Sequence, residues 1–154
     1  MASSPAVSSR PPEAASARVE AEPVSSLPAL ERIAPEWERL WSAAHGSVFQ
    51  SPAWLLPWWK HIGQGTPACV ALRSGDDGAL VGFAPLYVHT APTTGRRHLF
   101  PLGIATTDRL DILVLPAWRA AVARALVGHL VASEDSWDLF EAPQGEQGLS
   151  LIHI

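Results

Sequence analysis

The sequence predicts an α+β (mixed α/β) domain, with a mostly antiparallel open sheet and flanking helices. Three observations predict it. Two segments early in the chain place apolar residues at helical spacing. The middle of the chain then switches to short β-like runs separated by turn residues. One more helical segment and one alternating segment follow, giving the order α-α-β-β-β-β-α-β. At 154 residues, 47% hydrophobic and 17% charged, the chain is large and apolar enough to bury one core.

Residues 1–26, MASSPAVSSRPPEAASARVEAEPVSS, are rich in Ala, Ser, Pro and Glu and lack aromatics. Such a segment buries too little apolar surface to offset the entropy of ordering, so it reads as a disordered tail. Order is expected to begin near Leu27 and to run to 148. Ile33, Trp37, Leu40 and Trp41 share one helix face. Pro35 suits a first turn and Gly46 a stop, which predicts a helix over 35–44.

The stretch VFQSPAWLLPWWKHIG, residues 48–63, carries the second helix. Ser51 is a good N-cap and Pro52 a good first residue. Trp54, Trp58, His61 and Ile62 share one face, flanked by Leu55 and Trp59, and Trp54, Trp58 and Ile62 are expected to form the buried stripe. Gly63 ends the helix. Pro57 removes a backbone donor and crowds the Ala53 carbonyl, which predicts a kink or a tightened first turn.

Ala68 to Arg73 and Ala79 to His89 read as an antiparallel hairpin closed by the turn SGDDG. Pro85 places the second strand at an edge or a bulge. After the loop TAPTTG come strands over Arg96–Leu102 and Asp111–Leu115, joined by GIATTDR. Pro116 opens a helix with Trp118, Val122, Ala125, Leu126 and His129 on one face. Trp137 to Glu141 alternates as a last strand. No internal repeat is present. The closing LSLIHI, 149–154, resembles the peptide left by translated sequencing-adaptor sequence. It is expected to be non-native read-through, with the protein continuing past 148; the alternative is a genuine short terminal strand.

The net charge is −4, and Lys60 is the only lysine among eleven basic residues. No basic stripe exists, so no nucleic-acid partner is indicated. Arg96-Arg97 reads as a solvated strand end. The single cysteine, Cys69, excludes an internal disulfide and sits in the apolar run ACVAL as a small core residue. No apolar run approaches the ~18 residues of a membrane span, and the N-terminus lacks the pattern of a secretory signal, so a cytoplasmic location is expected.

No P-loop, GxGxxG, GxSxG or HExxH pattern occurs, and none of the six histidines has a metal-ligand spacing. His61 and His129 fall on apolar helix faces and read as packing residues. Asp108 and Asp111 flank Arg109-Leu110 where a loop enters a strand. There, carboxylates can face a cleft and bind a substrate amine or take its proton. Equally, Asp108 can cap a turn and Asp111 start a strand. Gln50 can serve a ligand or a neighbouring loop. Ser51, with no base near it in sequence, reads as a cap and not a nucleophile.

EWERLW, VFQSPAWLLPWWKHIG, ALRSGDDGALVGFAPLYVH and RRHLFPLGIATTDRLDILV, in that order, resemble the N-terminal part of a bacterial family. That family is the GNAT-superfamily acyltransferases of the CelD-like kind, named for cellulose and exopolysaccharide biosynthesis and related to the FemAB-type aminoacyltransferases. The resemblance covers about residues 30–145 and rests on several blocks, not one motif. It implies a GNAT-like lobe that helps form an acceptor cleft, and a second lobe of the same chain that binds the co-substrate acyl-CoA (acetyl-CoA). It implies transfer of an acyl group to an amine of a small-molecule or saccharide acceptor; Asp108 and Asp111 are then expected near the acceptor cleft, with Gln50 and Trp54 lining or supporting it. GNAT enzymes hold the CoA pyrophosphate on an Arg/Gln-x-x-Gly-x-Gly/Ala loop opening a helix. QGEQGLS, 144–150, has glycines at the wrong spacing, so this chain is expected to hold no cofactor and to be inactive alone. Two other functions stay open: a FemAB-type aminoacyl or peptidyl transferase, and a non-catalytic α/β module binding a partner through exposed tryptophans.

Overall fold

In Val19–Val24 the sequence VEAEPV alternates apolar and acidic residues, and the segment forms the first strand, β1. The computed structural model describes residues 18–103 and 112–140. The expected disordered tail through residue 26 is therefore corrected over its last third. Low aromatic content hid a strand whose Val19 and Ala21 pack against a core supplied by later elements. Residues 1–17 lie outside the described residues.

Helix α1 spans Leu27–Ala43, and the Ser26 hydroxyl caps it by accepting from the Ala29 amide at 3.2 Å. It thus begins well before the expected start at 35, and Pro35 lies inside it. The exposed Pro35 removes one backbone bond, but Leu30, Ile33, Trp37 and Leu40 bury a continuous stripe that holds the helix through it. Helix α2 spans Pro52–His61 with Ser51 as N-cap, as the sequence indicates. Its buried face is Pro52, Leu55 and Trp58. Trp54 is 37% exposed and Ile62 53%, so the expected Trp54–Trp58–Ile62 stripe is corrected. Both faces satisfy helical spacing; the underlying sheet, invisible to local periodicity, selects the Leu55 side.

The strands that follow are β2 (Thr66–Pro67), β3 (Cys69–Ser74), β4 (Leu80–Ala84), β5 (Leu86–Thr90), β6 (Arg97–Pro101) and β7 (Leu113–Val114), then helix α3 (Arg119–Ala132) and β8 (Leu139–Phe140). They form two four-stranded sheets, β1-β3-β4-β7 and β2-β5-β6-β8. All pairs are antiparallel except β6 with β8. The expected mixed, mostly antiparallel sheet with flanking helices is what forms.

The expected hairpin is present as β3 and β4. Pro85, with no N–H to donate, divides its second arm, so the chain leaves one sheet as β4 and enters the other as β5. Its carbonyl still accepts from the Leu102 amide at 2.8 Å. The first arm changes sheets at Ala68, whose amide donates to Leu86 O. Two apolar clusters line the assembly. One joins α1 and α2 to Phe83, Tyr87, Leu102 and Leu113. The other joins α3 to Val70, Leu72, Leu86 and Leu99. No helix among the described residues is long and apolar enough to cross a membrane.

Candidate functional site

The turn between α1 and α2 is where sequence reasoning placed Gln50 and Trp54. Gly46 is wedged there: a Cβ on it would lie 2.6 Å from Trp41 Cδ1 and 2.7 Å from Leu113 Cδ2. The Trp41 indole donates to Ser47 O at 2.7 Å and the Trp37 indole to Gln50 O at 3.0 Å. Gln50 Oε1 accepts from the Ser47 amide at 2.9 Å, closing the turn Val48–Gln50. Ser51, 2% exposed, donates to Val48 O at 2.7 Å and accepts from the Trp54 amide at 3.2 Å. The Gln50 oxygen is therefore spent on its neighbouring loop, while Trp54 keeps an open face and meets Phe49 edge-on, with centroids 5.2 Å apart.

Asp108 and Asp111 fall in 104–111, outside the described residues. Of the described residues on either side, Leu102 is 1% exposed and Ile112 8%. Leu113 packs on Gly46, next to the Ser47–Gln50 turn. Gln50 and Trp54 thus stand together at the turn that opens α2.

Beneath α2 lies an aromatic chain that sequence reasoning missed. Trp58 and Trp59 pack on Tyr87 at 5.6 and 5.4 Å, Tyr87 on Phe100 at 5.6 Å, and His98 stacks on Phe100. Burial raises the Tyr87 hydroxyl pKa. Only the register of β5 with β6, Tyr87 opposite Phe100, brings these rings together. Nothing in their sequence spacing announces it.

Helix α3 starts from a 3-10 turn, Pro116–Trp118, with the buried Trp118 as N-cap and no side-chain cap. Its first turn carries Ala120 and Ala121 and no glycine. At the other end of α3 an open cleft of about 760 Å³ lies between the helix and strands β2, β5 and β6. Thr66, Val88, His89, Arg97, Leu99, His129, Leu130 and Trp137 are among its walls, and none of the four sequence candidates is. His129, read as a packing residue, is half-buried on this wall. Arg97, read as a solvated strand end, instead holds Asp138 through Nε and Nη2 at 3.3 and 3.1 Å. This pairing holds the Asp138 carboxyl below the usual range.

Cys69 is a core residue, as its surroundings in sequence indicate. It is 1% exposed, its thiol donates to Leu86 O at 3.3 Å, and burial pushes its pKa up to about 12. Among the described residues no group of three or more His, Cys, Asp or Glu is placed to hold a metal.

No protein-family model matches the chain. No curated protein matches it either. Solved structures do. A ribosomal-protein-alanine N-acetyltransferase from Brucella melitensis biovar Abortus 2308 is 25% identical, with TM-score 0.49 over 85% of this chain and 82% of that one. A probable acetyltransferase is 11% identical, with TM-score 0.50 over 88% and 83%. The aminoglycoside acetyltransferase meta-AAC0020, from an uncultured soil metagenomic sample, is 14% identical, with TM-score 0.53 over 84% and 78%. The chain has the fold of these last two, that of the GNAT acetyltransferases.

Proposed function

We propose that the chain is the acceptor-side lobe of a GNAT-type N-acyltransferase, acting on an amine of a small molecule or saccharide in polysaccharide or cell-envelope biosynthesis. The fold shared with the aminoglycoside acetyltransferase carries this reading. That enzyme is solved in complex with sisomicin and with trehalose, which supports a small-molecule or saccharide acceptor here.

In the reaction, the acceptor nitrogen attacks the thioester carbonyl of acyl-CoA. The C–S bond breaks, CoA leaves as its thiol, and the amine proton passes to a base or to water. Asp108 and Asp111 bind the acceptor amine and are the candidates for that base. Support comes from their chemistry: a carboxylate can hold an ammonium and take a proton from an amine. Trp54 offers an exposed ring to line the acceptor. Gln50 acts as a support, holding the turn from which α2 starts.

Acyl-CoA is assigned to a second lobe of a longer chain. A pyrophosphate needs backbone N–H groups open at a helix start. The residues that open α3, Leu115 to Ala121, contain no glycine-rich loop of that kind. The interaction-module alternative needs several accessible indoles, and it is disfavoured because Trp37, Trp58 and Trp118 are all buried.

The test starts from the reading frame past codon 148, which is expected to continue into a strand, a glycine-rich loop and a helix. The full product should release CoA thiol from acetyl-CoA only when an amine acceptor is present. Asp108→Asn with Asp111→Asn should cut turnover by about a hundredfold or more, the contribution of general-base catalysis, with an unchanged melting temperature. A stop codon directly after 148, or unchanged turnover in the double variant, sinks the assignment.

A further inference from the structure

We propose that the cleft at the C-terminal half of α3 is a binding site for a small amphipathic carboxylate. It shares no residue with the acceptor site proposed above, so either can fail alone. Its volume of about 760 Å³ falls in the range of small-molecule pockets.

Its walls divide by chemistry. Val88, Leu99 and Leu130 give an apolar surface. His89, His129 and Arg97 bring nitrogen donors to it from three separate elements, and no Asp or Glu is among the lining residues described. Charged or neutral, an imidazole offers at least one N–H, and a guanidinium offers only donors. A head group that accepts hydrogen bonds therefore meets several donors here, while an ammonium meets no carboxylate among the lining residues described.

Arg97 is fixed in advance. Asp138 takes its Nε and one Nη2 hydrogen, and Asp135 O takes one from Nη1. One N–H remains on each Nη without a partner among the described residues, so the guanidinium keeps donor capacity for a carboxylate. The helix wall is held too. The Ser133 hydroxyl donates to His129 O at 2.8 Å and so ties down the last turn that carries His129.

Octanoate is the probe, with octanol as its neutral counterpart, followed by amide and indole resonances of the full chain. Octanoate is expected to shift the Trp137 indole resonance, identified with Trp137→Phe, saturably and with one-to-one stoichiometry, because Trp137 lines the cleft. Octanol should bind at least about tenfold more weakly, the value of one or two lost hydrogen bonds. His89→Phe with His129→Phe, which removes both N–H donors and keeps a ring, should weaken octanoate by a similar factor. Leu130→Trp should fill the cleft and abolish binding; if that variant does not fold, the histidine pair decides. No saturable shift at Trp137, octanol binding as tightly as octanoate, or unchanged affinity in the histidine variant each overturns the proposal.

Discussion

Ser51 shows how one side chain fixes a local structure. Its buried hydroxyl donates to Val48 O and accepts from the Trp54 amide, joining the preceding turn to the first turn of α2. Ser51→Ala deletes the cap and the hydrogen bond to Val48 O, so it should cost about 1–2 kcal/mol. The shift of the urea midpoint measures it, and a change under a few tenths of a kcal/mol contradicts the capping role. The cap was readable in sequence because Ser-Pro before an aromatic run is a local signal. Gln50 was not resolvable, since whether its amide serves a loop or a ligand depends on the fold of Ser47. Cys69 makes the complementary point. With its thiol raised to about 12 and its side chain enclosed, it should resist iodoacetamide in the native protein and react on unfolding. Labelling of the folded chain at the rate of a free thiol refutes this.

At the scale of elements, α2 separates burial from exposure on one helix. Leu55 is 1% exposed and packs with Trp37, Phe83 and Tyr87, so Leu55→Ala should cost roughly 2–5 kcal/mol. Trp54→Ala, on the open face, should cost no more than about 1 kcal/mol. Equal losses in thermal melts would return Trp54 to the core. Gly82 tests the contact of α3 with the sheet. A Cβ there would lie 2.9 Å from Val122 Cγ1 and 3.1 Å from Cγ2, so Gly82→Ala should cost roughly 1–3 kcal/mol as α3 is pushed outward. Helices and the hairpin were legible because period and turn chemistry are local. The start of α1, the strand β1 and the buried face of α2 were not, because each is decided by a partner distant in sequence: Val19–Val24 is a strand only against Cys69–Ser74.

Across the whole molecule, Pro85 and Ala68 split two long arms between two sheets, and α1 with α2 and α3 cover separate apolar clusters. Arg73 ties three elements of this frame. From β3 it reaches Glu22 of β1 at 2.8 Å and Glu36 of α1 at 2.9 and 3.0 Å. The hydrogen bond from Arg73 holds the Glu36 carboxyl below its ordinary value, against the opposing effect of burial. A carboxyl depressed in the folded state lends stability above its unfolded pKa and loses it as pH falls through the folded one. The contribution is therefore complete at neutral pH and disappears in acid, below the usual carboxylate range near 4.5. With side chains 24% and 36% exposed, solvent screening limits it to about 1 kcal/mol. Glu36→Gln should thus be less stable than the native chain at neutral pH by about that amount, and the gap should close in acid, once the pH has fallen below the lowered Glu36 pKa. Urea midpoints at neutral pH and in acid decide the matter. A gap that persists unchanged in acid would mean that Glu36 acts through packing, and that its charge contributes nothing to holding α1 on the sheet.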